Sequence, residues 1–232
     1  MFMVIKDLCK SYQAGEIETV ALRNASITLN KGEIGVILGP SGSGKSTLMN
    51  IIGGIDTADR GSVIVDNQEI TKFDDNRLTE YRREKIGFVF QSYNLIPHLT
   101  VSENIEVIES ISKDPLPLSD VLAAVGLTDK KNRFPRELSG GEQQRVAIAR
   151  AVIKNPHLLL CDEITGALDY ASAIDALDLI QEVSNRFGTT VLIITHNTAI
   201  SKIANRVYKL RSGEVVDCIV NENPSDARKV EW

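Results

Sequence analysis

Residues 39–46 read Gly-Pro-Ser-Gly-Ser-Gly-Lys-Ser, a G-x-x-x-x-G-K-S pattern. The run before it, 34–38, is apolar, and Leu48, Ile51, Ile52 and Ile55 after it recur at helical spacing. A chain with this order must bring a buried strand to a glycine turn at one end of a sheet and leave it along a helix. The glycines let the backbone wrap closely and aim several N–H groups inward. The helix N-terminus adds positive potential, so the turn suits a phosphate. Lys45 is then placed to reach β- and γ-phosphates, and the Ser46 hydroxyl to bind Mg²⁺. The bland alternative is a glycine-rich turn beside a solvated lysine. The flanking strand and helix speak against it.

Further apolar runs at 86–90, 158–161 and 191–195 read as buried strands separated by helical stretches. One such helix carries Ile174, Leu177, Ile180, Val183 and Phe187 on one face and ends at Gly188. Runs 207–210 and 214–218 flank Ser212-Gly213 and read as a hairpin. This alternation predicts a mostly parallel sheet covered by helices. Residues 1–33 and 61–70 break it. They are rich in Val, Ile and Thr, turn at Lys31-Gly32 and Asp66-Asn67, and read as antiparallel strands. Residues 92–157 carry helical patterns and almost no strand signal, so they read as an inserted helical subdomain. The stretch from Asn221 to the end is polar and reads as loosely ordered.

With 232 residues the chain is long enough to bury a core without disulfides. Cys9, Cys161 and Cys218 are odd in number and far apart, which fits neither a disulfide framework nor a zinc site. Each reads as a small buried apolar residue in a reducing compartment. No stretch approaches the length needed to span a bilayer, and the first residues lack a signal-peptide pattern. The formal net charge of −5 argues against a nucleic-acid partner.

Two further patterns carry chemistry. The strand at 158–161 ends in Asp162-Glu163, at the sheet edge that also holds the glycine loop. Asp162 is placed to hold Mg²⁺ and Glu163 to polarise an attacking water. Taken alone, Asp162 caps the next turn and Glu163 is solvated. The second pattern is Leu138-Ser-Gly-Gly-Glu-Gln-Gln144. Ser139 with Glu142 is a capping box. Gly140 and Gly141 are poor helix formers, costing about 1 kcal/mol each against alanine. They open backbone N–H groups at a helix start, a second anion site. A single nucleotide seldom needs both sites from one molecule.

With these residues in place, the sequence resembles the nucleotide-binding subunit of an ATP-binding-cassette (ABC) transporter. The resemblance covers the whole chain, 1–232, as one cassette domain. Its motifs stand in the family's order: a Walker A loop at 39–46, Gln91 after Phe88-Val-Phe90, the LSGGEQQ signature at 138–144, Walker B ending at Asp162-Glu163, a D-loop at 166–169, and His196. The resemblance implies an α/β P-loop NTPase (RecA-like) core, with an antiparallel β subdomain and an inserted α-helical subdomain. Core and β subdomain would occupy 1–91 and 158–220, the helical subdomain 92–157, and a polar tail 221–232. It implies ATP as substrate, Mg²⁺ as cofactor and a head-to-tail pair of copies. ATP would lie between Gly39, Pro40, Ser41, Gly42, Ser43, Gly44, Lys45, Ser46 and Thr47 of one copy and Ser139, Gly140, Gly141 and Glu142 of the other. Tyr12 would stack on adenine. Gln91 would bind Mg²⁺ and sense a membrane permease. Glu163, His196 and Lys45 would be catalytic, with His196 at the γ-phosphate, and Asp169 would link the subunits.

A finer likeness runs through Asp56-Thr57, Ile86 to Thr100 and Thr165 to Asp169. These resemble cassettes that pair with MacB- or FtsX-like permeases, including lipoprotein-release and peptide-export systems. Leu95, Ile96 and Leu99 would sit where such a permease docks, because exposed apolar clusters mark partner surfaces; the alternative is local core packing. His98 reads as a surface residue. The chain would then work on the cytoplasmic face of the membrane. It departs from the family at Ile164, where proline follows the catalytic glutamate, and at Asn197, where an acid is common. Cys161 also stands where another residue is usual, and the helical subdomain after Asn104 looks shortened. Rival readings are a soluble ABC ATPase of translation or DNA maintenance, and a membrane-bound pair that transmits force without transport. A P-loop kinase or GTPase fails on the signature.

Overall fold

The computed structural model describes residues 1–230. In chain order, β1 (Met3–Ala14), β2 (Ile17–Leu29) and β3 (Ile34–Leu38) precede α1 (Lys45–Ile52). β4 (Arg60–Val65), β5 (Gln68–Glu69), α2 (Asp75–Lys85) and β6 (Ile86–Val89) follow. Three helices come next, α3 (Val101–Glu109), α4 (Leu118–Ala124) and α5 (Gly140–Val152). The chain continues through β7 (Leu158–Asp162), α6 (Tyr170–Phe187), β8 (Thr190–Thr195), β9 (Arg206–Arg211) and β10 (Glu214–Val220).

The strands form two sheets. One has the order β2-β1-β4-β5 and is antiparallel; the other has the order β10-β9-β3-β8-β7-β6. In the second, β9, β3, β8, β7 and β6 run parallel and only β10 is reversed. The expected α/β core with an antiparallel sheet beside it is therefore present. Every residue of β3 and β8 is buried. Continuous apolar runs such as Ile34–Leu38 are what a strand needs when both faces are covered. One face packs against α5 and α6, the other against α1 and the antiparallel sheet.

The helices α3, α5 and α6 form where the sequence supplies caps. Thr100 with Glu103 and Ser139 with Glu142 close capping boxes at α3 and α5. Asp169 caps α6, which stops at Gly188 with φ 65°. The apolar face of α6 buries Leu177, Ile180 and Val183, each contributing about 1.5–3 kcal/mol of transfer free energy.

Three expectations need correction, and one helix gives no signal in the sequence. The first helix ends at Ile52, and Ile55 is 51% exposed rather than on its apolar face. A Cβ on Gly53 would meet the Phe88 ring at 2.2 Å, and Gly54 has φ 69°, so the chain turns there. α2 carries no helical stripe in the sequence, because only Leu78 and Tyr81 are buried. It is held by the Asp74 cap and by the Tyr81 hydroxyl, which donates to the Ile52 carbonyl at 2.9 Å. The stretch 221–230 is not loose. Ala227 and Val230 are buried, the Ala227 N–H donates to Gln181 Oε1 at 2.7 Å, and Arg228 pairs with Asp178. The last two positions of the expected tail, 231–232, lie outside the described residues. Of the cysteines only Cys161 is fully buried; Cys9 is half-buried and Cys218 exposed.

Candidate functional site

The parallel strands deliver their C-terminal ends to one edge of the sheet. There β3 runs into the glycine loop, β7 ends at Asp162, β8 ends at Thr195, and Gln91 follows β6. An open cavity of about 940 Å³ lies over this edge. It is lined by Tyr12, Pro40, Ser41, Gly42, Gly44, Lys45, Ser46, Thr47, Gln91, Asp162, Glu163 and His196, all anticipated from the sequence. Thr19, Val20 and Ala21 of β2 also line it and were not anticipated. Tyr12 pairs with Thr19 across the β1–β2 ladder, so the tyrosine brings these neighbours with it.

Gly39 and Ser43 build the loop without lining the cavity. A Cβ on Gly39 would sit 2.4 Å from the Leu210 carbonyl, so only glycine fits against β9. Gly44 has φ 101°, and its Cβ would meet the Ala21 carbonyl at 2.4 Å. The loop is braced from behind by the hairpin turn between β9 and β10. Gly213 donates its N–H to the Ser43 carbonyl at 3.0 Å and accepts from the Arg23 N–H at 2.8 Å. Lys45 is buried, and its ammonium donates to the carbonyls of Gly39 and Pro40 at 2.8 and 2.9 Å. Ser43 Oγ is buried with no hydrogen-bond partner among the described residues. A loop with an inward ammonium and an orphaned hydroxyl has the polarity of an anion cradle.

Tyr12 is 40% exposed to the cavity. Its hydroxyl donates to Asp56 Oδ2 at 2.6 Å, and the Lys10 ammonium stands 5.2 Å from the ring centre. The ring is thus fixed in place while one face stays open, as stacking requires.

Asp162 and Glu163 take different environments. Burial pushes the Asp162 carboxyl above its ordinary value, and the adjacent Glu163 charge adds to this while Lys45 opposes it. A cation beside Asp162 relieves that cost. Asp162, the Ser46 hydroxyl and the Gln91 amide supply oxygen donors, the set Mg²⁺ prefers, and Mg²⁺ needs few protein ligands. Among the described residues no group of three or more His, Cys, Asp or Glu is arranged to hold a metal.

Glu163 adopts φ 47°, a left-handed conformation that a non-glycine residue seldom takes. The turn is fixed by its N–H donating to the Ile194 carbonyl and by its carbonyl accepting from the Gly166 N–H. Its carboxylate is held from β8. Thr195 Oγ1 donates to Oε2 at 3.2 Å, and His196 Nδ1 lies 3.1 Å from Oε1. Thr195 Oγ1 also accepts the Asn197 N–H, and the Thr195 carbonyl accepts the Gly39 N–H. Sequence reasoning missed Thr195. Its signal is its position between a buried strand and His196.

Replacing Thr195 with Val removes the hydroxyl at nearly constant volume. Removing an orienting hydrogen bond is expected to lower kcat about tenfold while KM stays put. The unpaired Asn197 N–H is expected to cost about 1–3 kcal/mol of stability. Thr195→Ser keeps both bonds and is expected to match the parent. Steady-state kinetics with thermal unfolding on the three chains checks this, and an unchanged kcat in Thr195→Val overturns it.

The signature residues are elsewhere. Ser139, Gly141 and Glu142 line a separate cavity of about 330 Å³ with Lys130, Arg145 and Ser172. Glu142 is ion-paired with Lys130, and with the hydrogen bonds this holds its carboxyl below the usual range. Gly141 has a packing reason as well as an electrostatic one: a Cβ there would meet Ser172 Oγ at 2.9 Å. Gly140 faces the Tyr93 hydroxyl. Asp169 lines neither cavity; it accepts from the Ser172 N–H and hydroxyl at the start of α6. The Leu95, Ile96 and Leu99 cluster is split. Leu95 packs on the core, Leu99 is half-buried, and Ile96 is 39% exposed. His98 is exposed and Ile164 is 2% exposed. No helix among the described residues is long and apolar enough to cross a membrane.

A glycine loop feeding a helix, an adjoining Asp-Glu strand end and a nucleotide-sized cavity define an ATPase of the P-loop class. The ABC transporter family model matches residues 22–166, and the chain belongs to that family. It is 40% identical over 231 residues to the MG065 homolog of Mycoplasma pneumoniae, named as an ABC transporter ATP-binding protein. The match covers 98% of this chain and 50% of that protein, so the chain spans about half the length of this relative. It is 41% identical over 231 residues to the macrolide export ATP-binding/permease protein MacB of Shigella flexneri, covering 97% of this chain and 35% of that protein. Among solved structures it resembles the ATP-binding cassette MJ0796 of Methanocaldococcus jannaschii, a dimer in a post-hydrolysis state bound to ADP and Pi. The TM-score there is 0.85 at 38% identity, with 95% of this chain and 99% of that chain covered.

Proposed function

We propose that residues 1–232 form one cassette that binds ATP and Mg²⁺, pairs head to tail with a second copy, and powers a membrane permease of the export type. Its core and β subdomain are 1–91 and 158–220, and 92–157 is the helical subdomain. The observation that carries the reading is the separation of two anion-suited sites on one chain. The glycine loop and the signature helix start line different cavities, so one nucleotide meets both only when two copies face each other. The dimeric state of the MJ0796 cassette supports this.

In the closed pair, the loop N–H groups and Lys45 hold the phosphates, Tyr12 stacks on adenine, and Ser139 to Glu142 of the second copy complete the site. Asp162, Ser46 and Gln91 would hold Mg²⁺, which when bound would neutralise phosphate charge. Glu163, steadied by Thr195 and His196, accepts a hydrogen bond from the attacking water and draws off its proton as the γ-phosphoryl group leaves ADP. Asp169 stands at the start of α6 as a link between the copies. Positioning and electrostatics supply most of the rate. The permease seat is the exposed Ile96 side of the 95–99 loop, which sets the chain on the cytoplasmic face of the membrane. The likeness to MacB, an export ATP-binding/permease protein, supports the export direction.

Cross-linking tests the arrangement. In a Cys9→Ser, Cys218→Ser background, a Ser41→Cys chain is mixed with a Ser139→Cys chain and a short bis-maleimide, which adds one thiol at each end, is added. An intermolecular product that requires ATP is expected. Its absence while ATP binding is measured in the same sample overturns the head-to-tail reading.

A further inference from the structure

Between Gln91 and α3 the chain makes a turn that the Tyr93 side chain does not favour. Tyr93 and Asn94 both adopt left-handed backbone, φ 56° and 51°. Asparagine visits this region readily, but a tyrosine there is costly and persists only when the surroundings hold it. Arg150 on α5 supplies the hold. Its guanidinium donates through Nη1 to the Asn94 carbonyl at 2.6 Å and through Nη2 to the Tyr93 carbonyl at 3.1 Å. The other end of the loop is held from α3. Asn104, fully buried, accepts from the Ile96 N–H and donates to the carbonyls of Ile96, Leu99 and Thr100. Tyr93 also reaches the signature, since a Cβ on Gly140 would lie 3.4 Å from its hydroxyl.

We propose that Arg150 is a positioning residue that locks the segment after Gln91 to the signature helix, so that the two anion-suited sites of one chain move together. This rests on the reading under Proposed function and deepens it. Gln91 lines the nucleotide cavity, while Ser139 and Gly141 line the second cavity. The path between them is short: Gln91, the Tyr93-Asn94 turn, the Arg150 fork, then α5 back to its first residues. A forked guanidinium fixes two carbonyls at once, which a single ammonium does not. A shift of Gln91 toward nucleotide is thereby passed to α5 as a displacement of the whole helix. Without the fork, the turn relaxes and absorbs it.

The test uses the full chain with Arg150→Met, which keeps the apolar stem, and Arg150→Met with Asn94→Gly, which removes the backbone cost at one position. ATP affinity is expected to stay within about threefold, while kcat falls about tenfold or more. Asn94→Gly is expected to recover part of the kcat loss, because the turn then needs less holding. Hydrogen exchange gives a readout that simple destabilisation does not reproduce. Nucleotide slows exchange at both 90–96 and 138–144 in the parent, and at 90–96 alone in Arg150→Met. A kcat within twofold of the parent, slowing at both segments, or no recovery with Asn94→Gly overturns the proposal. Should Arg150→Met fail to fold, Arg150→Lys carries the same measurements, and a kcat equal to the parent's overturns it. If the Glu163→Gln chain forms no dimer with ATP, the paired-site reading fails. Exchange is read at a dilution where size-exclusion chromatography shows monomers, so it decides the coupling within one chain whether or not copies pair.

Discussion

The Glu163→Gln chain is expected to bind ATP about as tightly as the parent, hydrolyse it at least about 100-fold more slowly, and remain as a dimer in ATP. The substitution keeps size and keeps a carbonyl oxygen that accepts from Thr195. It removes the negative charge and the capacity to take a proton. Loss of a general base costs about 10²- to 10⁴-fold. Ground-state binding should hardly change, because Glu163 touches the reacting water in this reading and not the phosphates. The effect therefore falls on kcat with KM nearly constant, the mark of an interaction made in the transition state. Phosphate release, nucleotide titration and size-exclusion chromatography in ATP check the three parts. Turnover at the parent's level removes Glu163 from its role.

Lys45→Ala should fail one step earlier, at binding. The ammonium is buried under the loop and spends its hydrogen bonds on two loop carbonyls. A buried cation with only neutral acceptors is short of an anion, and a triphosphate supplies one. Charge-assisted hydrogen bonds contribute about 1.5–3 kcal/mol, so ATP affinity is expected to weaken about 10- to 100-fold. Adenosine, which lacks phosphates, should bind both chains alike. Equal ATP affinity in the two chains counts against the loop as the phosphate site. Placing the two variants side by side separates capture of nucleotide from its cleavage.

The features legible in the sequence are those set by short-range chemistry. Buried strands such as Ile34–Leu38 announce themselves as apolar runs, and α6 carries its stripe and its Gly188 stop in its own sequence. The glycine loop is legible because its chemistry demands its spacing. What stayed hidden depends on partners distant in sequence. α2 is held by a hydroxyl reaching Ile52 rather than by an apolar face of its own. The segment 221–230 reads as polar, yet Gln181 and Asp178 on α6 fasten it. Thr195 matters through a carboxylate thirty-two positions earlier, and Arg150 through carbonyls fifty-six and fifty-seven positions earlier. The left-handed turn at Glu163 follows from bonds to Ile194 and Gly166, and no residue preference announces it. That Gly141 also serves packing became visible only once Ser172 lay against it.

Hairpin tips are ordinarily where a protein forgives additions, because nothing leans on them. The Ser212-Gly213 tip is an exception. Gly213 joins the phosphate loop to β2, the strand that lines the cavity beside Tyr12, and its missing side chain leaves 2.8 Å between a would-be Cβ and the Ala21 carbonyl. A surface turn has been drawn into the foundations of the nucleotide site. In engineering terms, the tip that looks most like a free attachment point is a keystone, while the open space for a graft lies at the β1–β2 turn, where a Cβ on Gly15 would meet nothing within 4 Å.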